Sequence, residues 1–197
     1  MNEEDWIAKQ SQTYVAQGYG ETSRALASPN ERYGRVLDSH LPAHARILDI
    51  GCNDGSFCKV LADKGYAVTG VDLPAVIERA SAHYPELDLI AADIEDIDWP
   101  ERTFDAIVVF GTIEHIIHDF ELLKKAYSWL NARGQIFLTT PLSPEKIDDG
   151  DHLRFYPPVS LRNLVLLAGF KVSKVEVFQG IDEYLIVGEK NGRKPIP

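Results

Sequence analysis

The chain predicts an α/β fold: a seven-stranded, mostly parallel sheet ending in an antiparallel C-terminal hairpin, with helices on both faces. Three observations predict it. Short β-rich apolar runs alternate with helix-period stretches along most of the sequence. The first of these runs, Ile47-Leu48-Asp49-Ile50, passes through a glycine-punctuated turn straight into an amphipathic helix. The last two runs are joined only by Gln179-Gly180-Ile181-Asp182, too short for a crossover, so they must pair antiparallel at the sheet edge.

Taken in order, the strands are expected at 46–50, 67–72, 87–92, 104–110, 134–140, 170–178 and 183–190. Helices start near Ser56, Leu73, Asp119 and Ser160, and one or two more precede residue 41. After Ser56, Phe57, Val60 and Leu61 recur at i, i+3, i+4, the period of a helix packing on a sheet. Ser160 is expected as an N-cap, followed by a stripe of Leu161, Leu164, Val165 and Ala168, with Gly169 suited to the C′ position. No repeat, linker or low-complexity tract interrupts this pattern.

Composition bounds the function classes. A chain of 197 residues fits one domain, taken as 1–197, with a large core. No apolar run approaches a membrane span, and the start, Met1-Asn2-Glu3-Glu4-Asp5, is acidic where a signal peptide is basic. Cys52 and Cys58 make neither a disulfide framework nor a zinc motif. A cytoplasmic protein is expected, as a monomer or homodimer. A formal charge of −10 disfavours nucleic acid as partner, because phosphate binding needs a basic footprint.

The turn after the first strand, Gly51-Cys52-Asn53-Asp54-Gly55, is a cofactor site by construction. Gly51 and Gly55 permit positive φ and close ligand approach, and Asn53 tolerates the left-handed region. Amides at the start of the following helix are expected to point outward, able to bind an anion. A dinucleotide fingerprint fails at two of its three glycine positions, which hold Asn53 and Ser56, and no P-loop Gly-Lys-Ser/Thr follows. The segment Leu48-Asp49-Ile50-Gly51-Cys52-Asn53-Asp54-Gly55 resembles motif I of the class I S-adenosylmethionine (SAM) dependent methyltransferases, with Asn53 in place of the middle glycine. Asp49 sets a carboxylate beside the turn, repelling a diphosphate and favouring the sulfonium and ammonium of SAM.

The resemblance covers roughly residues 44–189 and implies a Rossmann-like catalytic core, with 1–40 as a helical lid segment. It makes SAM the cofactor and S-adenosylhomocysteine (SAH) the product. Cofactor contacts are expected from Asp49, Gly51, Cys52, Asn53 and Gly55, and from Asp72 and Leu73, with Asp72 on the ribose hydroxyls. A helix cap is the competing role for Asp72. Asp93 and Ile94 would take the adenine, turn chemistry being the alternative for Asp93. Phe110 and Gly111 would flank the methionine portion, and Tyr14 and Tyr19 would close from the lid.

Phe104-Asp105-Ala106-Ile107 followed by Glu114-His115 is similar to the family's Phe-Asp…Glu-His block, which makes His115 the candidate general base. His152, Arg154 and Tyr156, in a His-x-Arg-x-Tyr segment similar to the small-molecule branch of quinone and sugar methyltransferases, are candidate substrate contacts; a loop pinned by Phe155 and Tyr156 is the alternative. No metal is expected. Glu114, His115, His118 and Asp119 lack a distant third ligand in the sequence, and Asp148, Asp149 and Asp151 read as a solvated acidic loop. The implied reaction is methyl transfer to a small-molecule acceptor, with a hydroxyl oxygen favoured because it justifies a base. Nitrogen or carbon acceptors, a non-catalytic SAM-binding protein and a nicotinamide oxidoreductase are the alternatives.

Overall fold

The structure, a computed structural model, describes residues 29–144, 152–178, 182–192 and 196. Its seven strands form a mixed sheet, and the chain divides into two compact units, Met1–Ile97 and Asp98–Pro197.

In the first unit the described elements are α1 (Pro29–Asp38), β1 (Arg46–Ile50), α2 (Ser56–Asp63), β2 (Ala67–Asp72), α3 (Pro74–His83) and β3 (Asp88–Ala91). The strands lie in order β3-β2-β1, all parallel, with Ile47 opposite Val68 and Val71 opposite Ile90. Leu48, Ile50, Leu61 and Val71 are fully buried between strands and helices. Cys52, Cys58 and Ile77 form a second small core with Val68, Leu87 and Leu89. Helix α1 docks on α2 through the edge-on pair Tyr33–Phe57, 6.1 Å between centroids, and through Asn30 Nδ2 donating to Ser56 Oγ at 2.9 Å.

The second unit holds β4 (Phe104–Phe110), a 3-10 turn (Ile113–His115), α4 (Asp119–Trp129), β5 (Leu130–Pro141), α5 (Pro158–Leu167), β6 (Phe170–Val177) and β7 (Glu183–Lys190). Strand order is β4-β5-β7-β6; β4 and β5 are parallel, and β7 runs antiparallel to both β5 and β6. The hairpin expected from its short connection is therefore present. Trp129, Phe137, Phe170 and Tyr184 fill the core.

Two boundaries differ from expectation by more than one residue. Strand β5 begins at Leu130, four residues early, because α4 runs into it without a loop: Leu130 already pairs with Phe104, and a register shift before Ala106–Gln135 absorbs the extra residues. Helix α5 begins at Pro158, so Ser160 is not an N-cap. Proline at the first helical position fixes a suitable φ and lacks the N–H that would otherwise need a partner, which outweighs the preference of a later serine for the cap. At the other end, Gly169 has φ 99° and follows the last turn as expected.

Candidate active site

The site residues fall into two clusters, one in each compact unit. In the first, Ile50 ends β1 and the chain turns through left-handed backbone at Gly51 (φ 74°), Asn53 (φ 49°) and Gly55 (φ 76°). The amides of Gly51 and Cys52 donate to the carbonyl of Val71 at 2.9 and 3.2 Å, tying the turn to the end of β2. Asp72, the last residue of β2, then clamps the turn: the Asn53 amide donates to Oδ2 at 2.8 Å and the Leu73 amide to Oδ1 at 2.7 Å. Burial raises the Asp72 pKa, opposed by these two amides. Asp72 is not the cap of α3, since Leu73 holds that position with no side-chain bond.

The expected anion cradle is already occupied. Ser56 N–H donates to Asp54 Oδ1 at 3.0 Å, Asn53 N–H goes to Asp72, and Gly55 N–H goes to the Cys52 carbonyl at 3.0 Å. Two carboxylates of the chain thus take amides that a diphosphate would need. Asp54 stands in the motif without an expected role, although an Asp accepting from the amide two residues on is a recognisable turn signal.

Asp49 lies beneath the turn, 3 % exposed, its Oδ2 accepting from the Cys58 thiol at 3.1 Å. Desolvation pushes its pKa up to about 7, opposed by that thiol. Cys52 is also buried; the hydrogen bond between the two thiols, with burial, holds Cys58 well above its ordinary value. Asp93 follows β3 and closes a turn by accepting from Glu95 N–H at 2.9 Å, and Ile94 is buried beside it.

In the second cluster, Phe110 ends β4, Gly111 adopts φ 57°, and its amide donates to Thr139 O at 3.0 Å. The 3-10 turn that follows buries Glu114 while leaving His115 half-buried. Burial raises the Glu114 carboxyl to about 8, opposed by its own amide and the Thr140 hydroxyl. The His115 and His152 rings lie 4.7 Å apart between centroids, and His152 Nε2 is 4.0 Å from Glu114 Oε1. A backbone bond from Leu153 N–H to Glu114 O, 2.9 Å, fastens the strap carrying His152 to the turn. Arg154 extends that attachment by donating to the carbonyls of Ile116 and Ile117 at 3.0 and 3.1 Å and pairing with Asp119 at 2.8 Å. Tyr156 donates to Asp119 and accepts, through its carbonyl, from the Tyr184 hydroxyl at 2.7 Å.

The model of a methyltransferase domain family matches residues 20–175. The chain belongs to that family, the SAM-dependent methyltransferases. A probable SAM-dependent methyltransferase of Mycolicibacterium smegmatis is 27 % identical over 150 residues, 72 % of this chain and 58 % of that protein. A ubiquinone biosynthesis O-methyltransferase of Xanthomonas axonopodis pv. citri is 31 % identical over 105 residues, 50 % of this chain and 44 % of the relative. The chain thus spans about half the length of these curated relatives. Among solved structures, the 1,6-didemethyltoxoflavin-N1-methyltransferase of Burkholderia thailandensis, with SAH and its acceptor bound, aligns at TM-score 0.78 and 19 % identity, over 96 % of this chain and 91 % of that one. That likeness fixes the fold alone.

The methyltransferase domain fits SAM by the chemistry of its first cluster. Asp72 and Asp93 bring carboxyl oxygens that suit a hydroxyl-rich ligand, Asp49 is instead buried against the Cys58 thiol, and the amides of Asn53, Gly55 and Ser56 are bonded within the chain. In the second cluster, Glu114, His115 and His152 come together. His118 sits at the cap position of α4, and Asp119 is committed to Arg154 and Tyr156. Tyr156 is thus engaged in holding the strap, as in the alternative that named it with Phe155, Arg154 is engaged there too, and His152 meets His115. Tyr14, Tyr19, Asp148, Asp149 and Asp151 lie outside the described residues. The meeting of His152 with Glu114 and His115 joins distant parts of the chain, and no local spacing signals it.

Proposed function

We propose that this protein transfers the methyl group of SAM to a hydroxyl of a small-molecule acceptor, in the cytoplasm. The filled anion cradle carries the cofactor half of this reading: with Asp54 and Asp72 holding the turn amides, a diphosphate would meet carboxylates where it needs donors. Asp72 keeps lone pairs for the ribose hydroxyls, Asp93 and Ile94 would meet the adenine, and Phe110 and Gly111 the methionine portion. When bound, SAM supplies an electrophilic methyl on a sulfonium leaving group. The chain's own work is alignment, exclusion of water and removal of the acceptor proton.

His115 is the group proposed to remove that proton. Its imidazole is half-buried beside His152, and imidazole is the side chain most often used as a general base. The O-methyltransferase name of one relative agrees with an oxygen acceptor, and the N-methyltransferase name of a structural neighbour keeps nitrogen as the second reading.

Titration calorimetry tests the cofactor half: SAH should bind and NAD should not, and NAD binding comparable to SAH would sink the reading. His115→Ala tests the other half. It should leave SAH affinity nearly intact and lower turnover on an identified acceptor by roughly 10² to 10⁴, the range for a lost general base. Near-normal turnover would remove His115 from the reaction.

A further inference from the structure

We propose that Glu114, His115 and His152 form a binding site for a divalent first-row transition-metal ion, with Zn²⁺ as its reference occupant. Each of the three offers one ligand atom, and those atoms lie within 4.8 Å of one another. Two imidazoles and one carboxylate are the donor set of open, catalytic zinc and non-haem iron sites, which hold three protein ligands and leave positions for a small molecule. Ligands at about 2.0 to 2.2 Å from a common ion stand roughly 3 to 3.5 Å apart, so small side-chain rotations close the set. Mg²⁺ is the poorer match, since it prefers oxygen ligands.

A second observation points the same way. The Glu114 side chain is 3 % exposed, yet its Oε2 has no hydrogen-bond partner. A buried carboxyl oxygen left unsatisfied is costly, and coordination, which releases the carboxyl proton to solvent, or a bond made on ligand binding would satisfy it. The surroundings also hold the ligands in place. Leu153 N–H is fixed to Glu114 O, so the residue after one ligand is fastened to the backbone of another. Arg154, gripping the Ile116 and Ile117 carbonyls and Asp119, fastens the strap again two residues after His152.

The ion's role rests on the methyl transfer proposed above; its binding does not. With the site occupied, His115 serves as a ligand, and the task assigned to a free imidazole passes to the ion, which lowers the pKa of a coordinated acceptor hydroxyl. The hydroxyl proton leaves to solvent, the oxygen–methyl bond forms as the sulfur–methyl bond breaks, and the metal keeps its oxidation state.

The test uses the tag-free chain, stripped with chelator and titrated with Zn²⁺ by calorimetry and with Co²⁺ by visible absorption. One equivalent should bind, and the Co²⁺ spectrum should show d–d bands without a thiolate charge-transfer band, which separates this site from Cys52 and Cys58. His152→Ala and, independently, Glu114→Gln should each weaken binding at least about tenfold. Circular dichroism and retained SAH binding identify a folded variant; should one fail to fold, the other decides. Absence of binding, a thiolate band, or unchanged affinity in a folded variant would overturn the site. Metal binding in a chain that does not bind SAH would sustain the site and refute the proposed methyl transfer instead.

Discussion

Replacing Asp49 by Asn removes a carboxyl that folding takes out of water. With a folded-state pKa of about 7 against an ordinary 3.8, the folded chain holds a proton that the unfolded chain has released throughout that window. Stability therefore falls as pH rises from about 4 toward 7 and levels off above the folded-state value. The full shift corresponds to on the order of 4 kcal/mol, at about 1.4 kcal/mol per unit. The isoelectric point near 5.0 makes the acid end of the window a poor place to work. Between about pH 6 and about pH 8.5 the two pKa values give an Asp49 contribution to the loss of roughly 1.5 kcal/mol, on top of that from Glu114, which both chains share. Asp49→Asn should lose that much less over the same interval. Its absolute stability can lie above or below the parent's, because the buried amide brings two N–H donors that need partners, at roughly 1 to 3 kcal/mol. The comparison across pH cancels that term. Urea unfolding of both chains at the two pH values, followed by far-ultraviolet circular dichroism, measures the difference. Parallel pH dependence in the two chains would refute a neutral, buried Asp49.

Gly70→Ala should destabilise the first unit by roughly 1 to 3 kcal/mol, since the added Cβ would stand 2.7 Å from Leu89 Cδ2 and 2.9 Å from each of the Cys52 and Cys58 sulfurs; an unchanged melting temperature would mean that this small core yields. Asp72→Asn should weaken SAH by about 1.5 to 3 kcal/mol, because one amide oxygen cannot replace a charged acceptor already holding Asn53 and Leu73. Calorimetry showing equal affinity would leave Asp72 as a turn clamp only. Tyr184→Phe strips the hydroxyl from the Tyr156 carbonyl and should cost about 1 to 2 kcal/mol in denaturant unfolding; no loss would show that water takes its place.

The strands were legible because their apolar runs are local signals. The expected spans for β1, β2, β4 and β7 match the observed ones, as Ile47 to Ile50 or Phe104 to Phe110 carry both burial and β propensity in a few residues. Boundaries failed where two local preferences compete, as with Pro158 against Ser160, or where a long-range pairing decides, as with Leu130 and Phe104. The left-handed turn at Gly51, Asn53 and Gly55 was legible from residue type alone. What fills it was not: that Asp54 and Asp72 take its amides depends on side-chain direction once the turn has formed. The same holds for His152, whose meeting with His115 is made by a backbone bond between Leu153 and Glu114 that no periodicity encodes.

Trp129 is fully buried, donates to Asp98 Oδ1 at 2.6 Å and meets Trp99 edge-on at 5.0 Å between centroids. Both of these indoles belong to the second unit, the third tryptophan, Trp6, precedes the described residues, and Cys52 and Cys58 both lie buried in the first unit. The chain thus carries two separate optical and chemical reporters. The circular dichroism couplet expected of Trp99 and Trp129 so close together, and indole emission once Trp6 is replaced by phenylalanine, follow the loosening of residues after Ile97; labelling of the thiols by a disulfide reagent follows the loosening of those before it. Run side by side along one denaturant series, the two readouts reveal whether the halves of this chain melt as one cooperative body or in succession.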